Sequence, residues 1–267
     1  MRRWLALLSF LVLILVAIYA AWAARRVPDR LAGVPSGKTQ VVDLTYALND
    51  HLPAWPGDDH PFEATAKATF EKDGYFTRRF CSLEHYGTHM DAPAHFIEGQ
   101  ATVDQIAPQR LMGPAVVVDI QQKVAADADY RLTRADLQAW ERRWGKISEG
   151  AIVLARTGWA ARWPDARRYR NTDPAGLLHF PGFAVDAAEF LTKERKISGL
   201  GIDTLSVDFG PSKNFEVHRL THAADLYHLE NLASMEKIPP KGAFLVAAPI
   251  KLEGGSGGAV RVFAILP

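Results

Sequence analysis

Cysteine is nearly absent from this chain: Cys81 is the only one in 267 residues. That excludes an internal disulfide and a cysteine-rich metal site, so any metal must be held by histidine and carboxylate side chains, a donor set that suits zinc or manganese. Charge of one sign is missing as well. With 31 basic against 30 acidic residues and a formal net charge of +1, the chain has no global field of the kind nucleic-acid binding needs, and a small molecule is the better expectation for its partner. The one match to G-x-S-x-G is the glycine run Gly254–Gly258, which leads into a predicted strand rather than a helix and so lacks the strand-to-helix turn of a serine hydrolase's nucleophile. The glycine-rich stretch Gly254–Gly258 lacks the Lys-Ser/Thr of a phosphate loop and reads either as a close backbone approach to a ligand or as a flexible hairpin.

One long hydrophobic run is present. Trp4 to Ala24 is almost unbroken apolar sequence behind Arg2 and Arg3, too uniform for a globular helix with a solvent side, and it reads as an export signal or a membrane anchor. The small residues of Ala21-Trp22-Ala23-Ala24 suit cleavage, whereas the length and Arg25-Arg26 suit an uncleaved helix. Both readings place the rest of the chain outside the cytoplasm, in the cell envelope or secreted, with any membrane contact made through this segment only. Residues 27–39, rich in proline, glycine and small polar residues, read as a linker to a single domain over 40–267.

Within that domain, short apolar and β-branched runs recur at Val41–Leu44, Ala115–Ile120, Ile152–Ala155, Leu200–Ile202, Phe244–Ala248 and Val260–Leu266. Continuous runs of this kind predict strands buried on both faces. Thr133 with Asp136 predicts a capped helix to Arg142, and Asp186 with Glu189 predicts another to Lys193. The irregular order of these elements predicts a mixed α/β domain rather than a doubly wound one.

The densest chemistry lies in His85-Tyr86-Gly87-Thr88-His89-Met90-Asp91-Ala92-Pro93-Ala94-His95. Read as a strand, it turns His85, His89 and Asp91 to one side, with Gly87 leaving room between the imidazoles. Pro93 would end the strand and turn His95 back toward the same space. Two imidazoles and a carboxylate make a common zinc or manganese set with positions left open. His218 and Glu230 form a second, weaker group by spacing alone, with His222 and His228 read as solvated helix surface. Trp55, in the turn Pro53-Ala54-Trp55-Pro56-Gly57-Asp58, is a core plug or one wall of a substrate pocket.

The pattern His85-x-Gly87-Thr88-His89-x-Asp91-x-Pro93-x-His95-Phe96 resembles the signature of the metal-dependent cyclase-like hydrolases, which include bacterial kynurenine formamidases and isatin hydrolases. Trp55-Pro56-Gly57-Asp58, Gly201–Asp208, His218 with Glu230-Asn231-Leu232, and Lys251-Leu252-x-Gly254-Gly255 extend the likeness along most of the chain after residue 40. The resemblance implies a three-layer β/β/α fold of the swivelling type, assembled as a homodimer or larger homo-oligomer. It implies one or two divalent ions, zinc or manganese, with His85, His89 and Asp91 on the first, and Asp91 and Glu230 bridging to a second held by His218. It also implies His95 as proton donor and acceptor, and Trp55 against the substrate. The expected reaction is cleavage of a C–N bond by metal-activated water, in a small aromatic amide of the N-formylkynurenine type first and in a cyclic amide of the isatin type second. A non-catalytic envelope protein binding metal or a small ligand is the alternative from another class. The apolar N-terminus departs from the cytoplasmic formamidases.

Overall fold

The computed structural model describes residues 31–267 apart from Asp59 and Pro164. The apolar run Trp4–Ala24 lies outside the described residues, among which no helix is long and apolar enough to cross a membrane. Part of the expected linker forms consecutive turns, with Val34 N–H donating to the Leu31 carbonyl and Gly37 N–H to that of Val34.

Twelve strands are described: β1 Val41–Asp43, β2 Phe62–Ala68, β3 Thr77–Ser82, β4 His89–Asp91, β5 Met112–Asp119, β6 Arg131–Leu132, β7 Ile152–Arg156, β8 Gly182–Phe183, β9 Gly199–Ile202, β10 Tyr227–Glu230, β11 Lys241–Pro249 and β12 Gly257–Ile265. Eight of them form one sheet in the order β1-β12-β11-β5-β7-β9-β10-β4, and β4 also pairs with β12, which closes the sheet like a barrel. The centre, β5-β7-β9-β10, is parallel, and the remaining pairs are antiparallel. A separate two-stranded ribbon, β2-β3, carries Cys81 exposed on its second strand.

Each central strand is buried on both sides, as its continuous apolar run predicts. Ala115, Val117, Ile152 and Leu154 join Met90, Leu229, Leu245 and Val262 inside the closed sheet. Their alternate neighbours Val116, Val118, Val153, Ala155, Leu200 and Ile202 join a second core beneath the helices. Two cores between two walls of sheet and a coat of helices give three layers. The helix Arg134–Trp144 begins with the expected reciprocal cap between Thr133 and Asp136, and its Trp140 indole donates to the Val117 carbonyl at 2.9 Å. The helix expected from Asp186 differs. It starts at Val185 after Ala184, without a side-chain cap, and runs into a π-turn over Phe190–Arg195. Asp186 sits in the first turn instead, where a carboxylate favours the helix dipole. The last helix of the coat, Glu216–Ala223, turns the buried His218 and His222 toward His95.

Candidate metal centre

The site grows from two adjacent antiparallel strands. In the β4-β10 pair, Asp91 lies opposite His228 and His89 opposite Glu230. Side chains alternate along a strand, so Met90 and Leu229 enter the barrel core, while the four polar residues share the other face. The expected strand from His85 does not form, since regular pairing covers only His89–Asp91. Residues 85–88 make a turn with Gly87 at φ +66°, where a Cβ would approach Leu48 Cδ2 to 2.8 Å. The backbone conformation and Leu48 therefore require this glycine, not the spacing between imidazoles. His85 still reaches the site from the turn. Pro93 opens a 3₁₀ turn, Pro93–His95, that brings the His95 ring back to stack on His85 at 3.8 Å.

The two carboxylates each divide their oxygens between two groups of imidazoles. Asp91 Oδ1 lies 2.6 Å from His85 Nδ1 and 3.1 Å from His89 Nε2, while its Oδ2 lies 3.3 Å from His218 Nε2 and 3.7 Å from His228 Nδ1. Glu230 Oε2 faces His89 Nε2 at 3.5 Å, and Oε1 faces His218 Nε2 at 3.4 Å. His85, His89, Asp91, His218 and Glu230, five residues singled out in the sequence, thus converge. His228 joins them. It and His222 are fully buried, and His228 is on a strand, which corrects their reading as solvated helix surface.

Outer partners fix which ring nitrogen of each neutral imidazole is bare. His89 Nδ1 donates to the Gly87 carbonyl at 3.0 Å, and His218 Nδ1 to Asp208 at 2.7 Å. Ser256 gives its hydroxyl proton to Glu84, so it accepts from His85 Nε2 at 2.9 Å. In every case the remaining lone pair points at a carboxylate oxygen. Lone pairs aimed at anions call for a cation between them, the arrangement outer hydrogen bonds enforce around metal-binding imidazoles. Ser256, Glu84 and the role of Asp208 were not anticipated; Ser256 lies 171 residues from His85, with no local pattern to announce the pair.

The carboxylates favour positive charge at these imidazoles, whether carried by a proton or by a cation. Burial alone would push His89 down, but the Asp91 and Glu230 carboxylates override it and hold it up at about 9. Burial also opposes charge on Asp91, yet His89 and His85 hold it well below the usual carboxylate range. Glu230 is pushed up by burial and by Asp91 beside it. His95 opens toward the pocket, but packing around its ring and the neighbouring imidazoles push it down to about 3 despite Asp91. The donor set of buried imidazoles and two shared carboxylates fits divalent zinc or manganese without thiolates.

These groups floor a cavity of about 270 Å³ walled by Trp55, Phe96, Leu205 and Phe215, with Asp58 also lining it. Trp55 is one of its walls while packing edge-on against Phe180 at 6.5 Å, so the two readings of this residue coexist. Among the described lining residues there is no lysine or arginine.

A mixed, closed sheet carrying an imidazole and carboxylate centre at the meeting of β4 and β10 defines a candidate metal centre in a three-layer α/β fold. The model of the Cyclase family matches residues 42–209. The chain belongs to that family. It is 36% identical over 248 residues to the isatin hydrolase of Roseibium aggregatum, covering 87% of this chain and 94% of that protein. A kynurenine formamidase of Bacillus thuringiensis is 28% identical over 225 residues, covering 82% of this chain and 94% of that one. Among solved structures, isatin hydrolase A from Ralstonia solanacearum superposes with a TM-score of 0.84 at 38% identity, over 90% of this chain and 97% of that chain.

Proposed function

We propose that this protein is a metal-dependent hydrolase that opens a cyclic aryl amide of the isatin type. The carrying observation is the pocket, which joins the imidazole and carboxylate floor to walls of Trp55, Phe96, Leu205 and Phe215 with no lysine or arginine among its described lining residues. Such a pocket suits a flat, uncharged ring and presents no lysine or arginine to a substrate carboxylate. The relatives named isatin hydrolase, at 36% and 38% identity, support the same substrate class.

A divalent cation held by His85, His89 and Asp91 would supply Lewis acidity and lower the pKa of water toward about 7. The chain's own residues do the rest. The aromatic walls hold the ring with its carbonyl over the floor and exclude bulk water. His95 lines the pocket beside His85, where its imidazole can accept a proton at a ring nitrogen. In the hydrolysis the C–N bond breaks, a C–O bond forms at the carbonyl carbon, and His95 returns the proton to the departing nitrogen. Ser256 and Glu84 keep His85 oriented, and Asp208 does the same for His218.

One observation favours a second reading. Asp58 lines the pocket and offers a carboxylate to the α-ammonium of an N-formylkynurenine-like amide, the substrate type suggested by the relative at 28% identity. Absorbance-followed hydrolysis of isatin and of N-formylkynurenine, by protein stripped of metal and then reloaded with zinc or manganese, decides between them. Metal-dependent turnover of isatin is expected. Turnover of the formamide alone selects the second reading, and stoichiometric metal binding with neither reaction leaves a binding protein.

A further inference from the structure

His228 is not among the metal ligands implied by the family resemblance, yet one of its buried ring nitrogens is left without a hydrogen-bond partner and faces a carboxylate of the centre. The Thr221 hydroxyl donates to the Val217 carbonyl at 2.7 Å and therefore accepts from His228 Nε2, also at 2.7 Å. That leaves Nδ1 as the bare nitrogen. It has no hydrogen-bond partner, the residue is fully buried, and Nδ1 faces Asp91 Oδ2 across 3.7 Å. A lone pair buried against an anion with nothing between them is costly.

We propose that His228 is the fourth protein ligand of an inner cation, completed by His218, Asp91 and Glu230, and that this inner site is closed while the outer one of His85, His89 and Asp91 stays open. The ligand atoms of these four buried residues all lie within 4.8 Å of one another. Donors about 2.0–2.1 Å from a tetrahedral zinc stand roughly 3.3–3.4 Å apart. The observed separations are 3.3 Å from His218 Nε2 to Asp91 Oδ2, 3.4 Å from His218 Nε2 to Glu230 Oε1, and 3.7 Å from His228 Nδ1 to Asp91 Oδ2. Three edges of the tetrahedron are thus nearly preformed. Two nitrogens and two oxygens would complete four-coordination from protein alone, the mark of a structural zinc site, whereas a catalytic site keeps a position for water. His222, stacked on His228 at 4.2 Å, covers its other side. The strand pairing accounts for the geometry, because His228-x-Glu230 on β10 repeats His89-x-Asp91 on β4 in antiparallel register.

The inference rests on the metal centre proposed above but not on any substrate. The test is metal content and calorimetric titration of the full chain with zinc and with cobalt(II), for wild type, His228→Ala, His228→Asn and His89→Ala. Wild type is expected to hold two ions. His228→Ala should keep the outer ion and lose at least tenfold in affinity for the inner one. His228→Asn, whose amide oxygen stands near the position of Nδ1, should recover part of that loss. His89→Ala should retain an inner cobalt with the intense visible absorption of four-coordination. Retention of both ions at unchanged affinity in His228→Ala overturns the proposal, as does a wild type that holds one ion at saturating metal. A single ion lost only in His89→Ala overturns the inner site while the outer reading stands, and a wild type that binds none overturns both. Should His228→Ala fail to fold, the cobalt spectrum of His89→Ala decides: the pale absorption of six-coordination overturns the closed site.

Discussion

At the scale of single residues, the site makes two predictions that separate chemistry from stability. His95→Ala should cut turnover by roughly a hundredfold or more, the usual contribution of a positioned acid–base group, while zinc content measured on the same protein stays at the wild-type level. Loss of metal in that variant would instead make His95 part of the ligand set. The second concerns His179, away from the site, whose pKa is raised by its hydrogen bond to Asp129 and further by Asp173. A histidine held up in the folded state stabilises most below its unfolded pKa, about 6.5, and the contribution fades as pH rises through the folded value. The pair is partly exposed, so the effect should stay below about 1 kcal/mol. His179→Gln should therefore melt below wild type at pH 6 and together with it at pH 9, and an equal gap at both would rule the ion pair out as the cause. The sequence made His85, His89 and Asp91 legible because they lie within seven positions on one strand and its turn. It hid the groups that orient them. Ser256 is brought to His85 across 171 residues by closure of the sheet, and the His-x-acid repeat of β10 is visible only once the segment is taken as a strand rather than a helix.

Elements were legible where one local rule decides them. The cap of Thr133 and Asp136 appears as read, with Asp136 accepting from the Thr133 N–H at 2.9 Å. Thr133→Ala should cost about 0.5–2 kcal/mol, checked by urea unfolding with an unchanged m-value. The buried central strands also follow from their runs, since a sheet covered on both faces leaves no polar alternation. Two misreadings share another cause. Period-two reasoning extended β4 back to His85, but Gly87 at φ +66° breaks the alternation, and the turn, not a strand, presents His85. At Asp186 a carboxylate suited to capping sits in the first turn of a helix whose start is set by Ala187 and Ala188 packing into the core. Gly87→Ala tests the turn directly. The left-handed backbone and the 2.8 Å approach to Leu48 should shift both His85 and His89, so metal affinity is expected to fall along with stability, and a variant that loses stability alone would show that the turn tolerates strain without moving its ligands.

For the whole molecule, the ribbon β2-β3 is separate from the closed sheet, and it and the segment connecting its strands expose Phe70, Tyr75, Phe76 and Phe80. If these rings are covered by a second copy of the chain, as the expected homo-oligomer would allow, Phe76→Ser combined with Phe80→Ser should lower the sedimentation coefficient, and an unchanged coefficient would exclude this face as the contact. The export or anchoring expected of Trp4–Ala24 is tested separately, by finding whether the expressed chain partitions with envelope fractions. The centre itself links the fold to the cation more tightly than either feature. It joins β4, β10 and the helix Glu216–Ala223 through Asp91, Glu230 and His218, all at least 96% buried, so removing a cation leaves two carboxylates packed close together. Metal at about a hundred times its dissociation constant stabilises by about 2.7 kcal/mol, which in a domain of this size is worth roughly 5–10 °C. Because the imidazoles must be deprotonated to ligate, protons compete with metal and affinity rises with pH. The gap in melting temperature between zinc-loaded and chelator-stripped protein should therefore widen from pH 6 to pH 8.5, as read by differential scanning calorimetry. A gap that does not change with pH would mean that the histidines gathered around Asp91 are not the groups holding the metal.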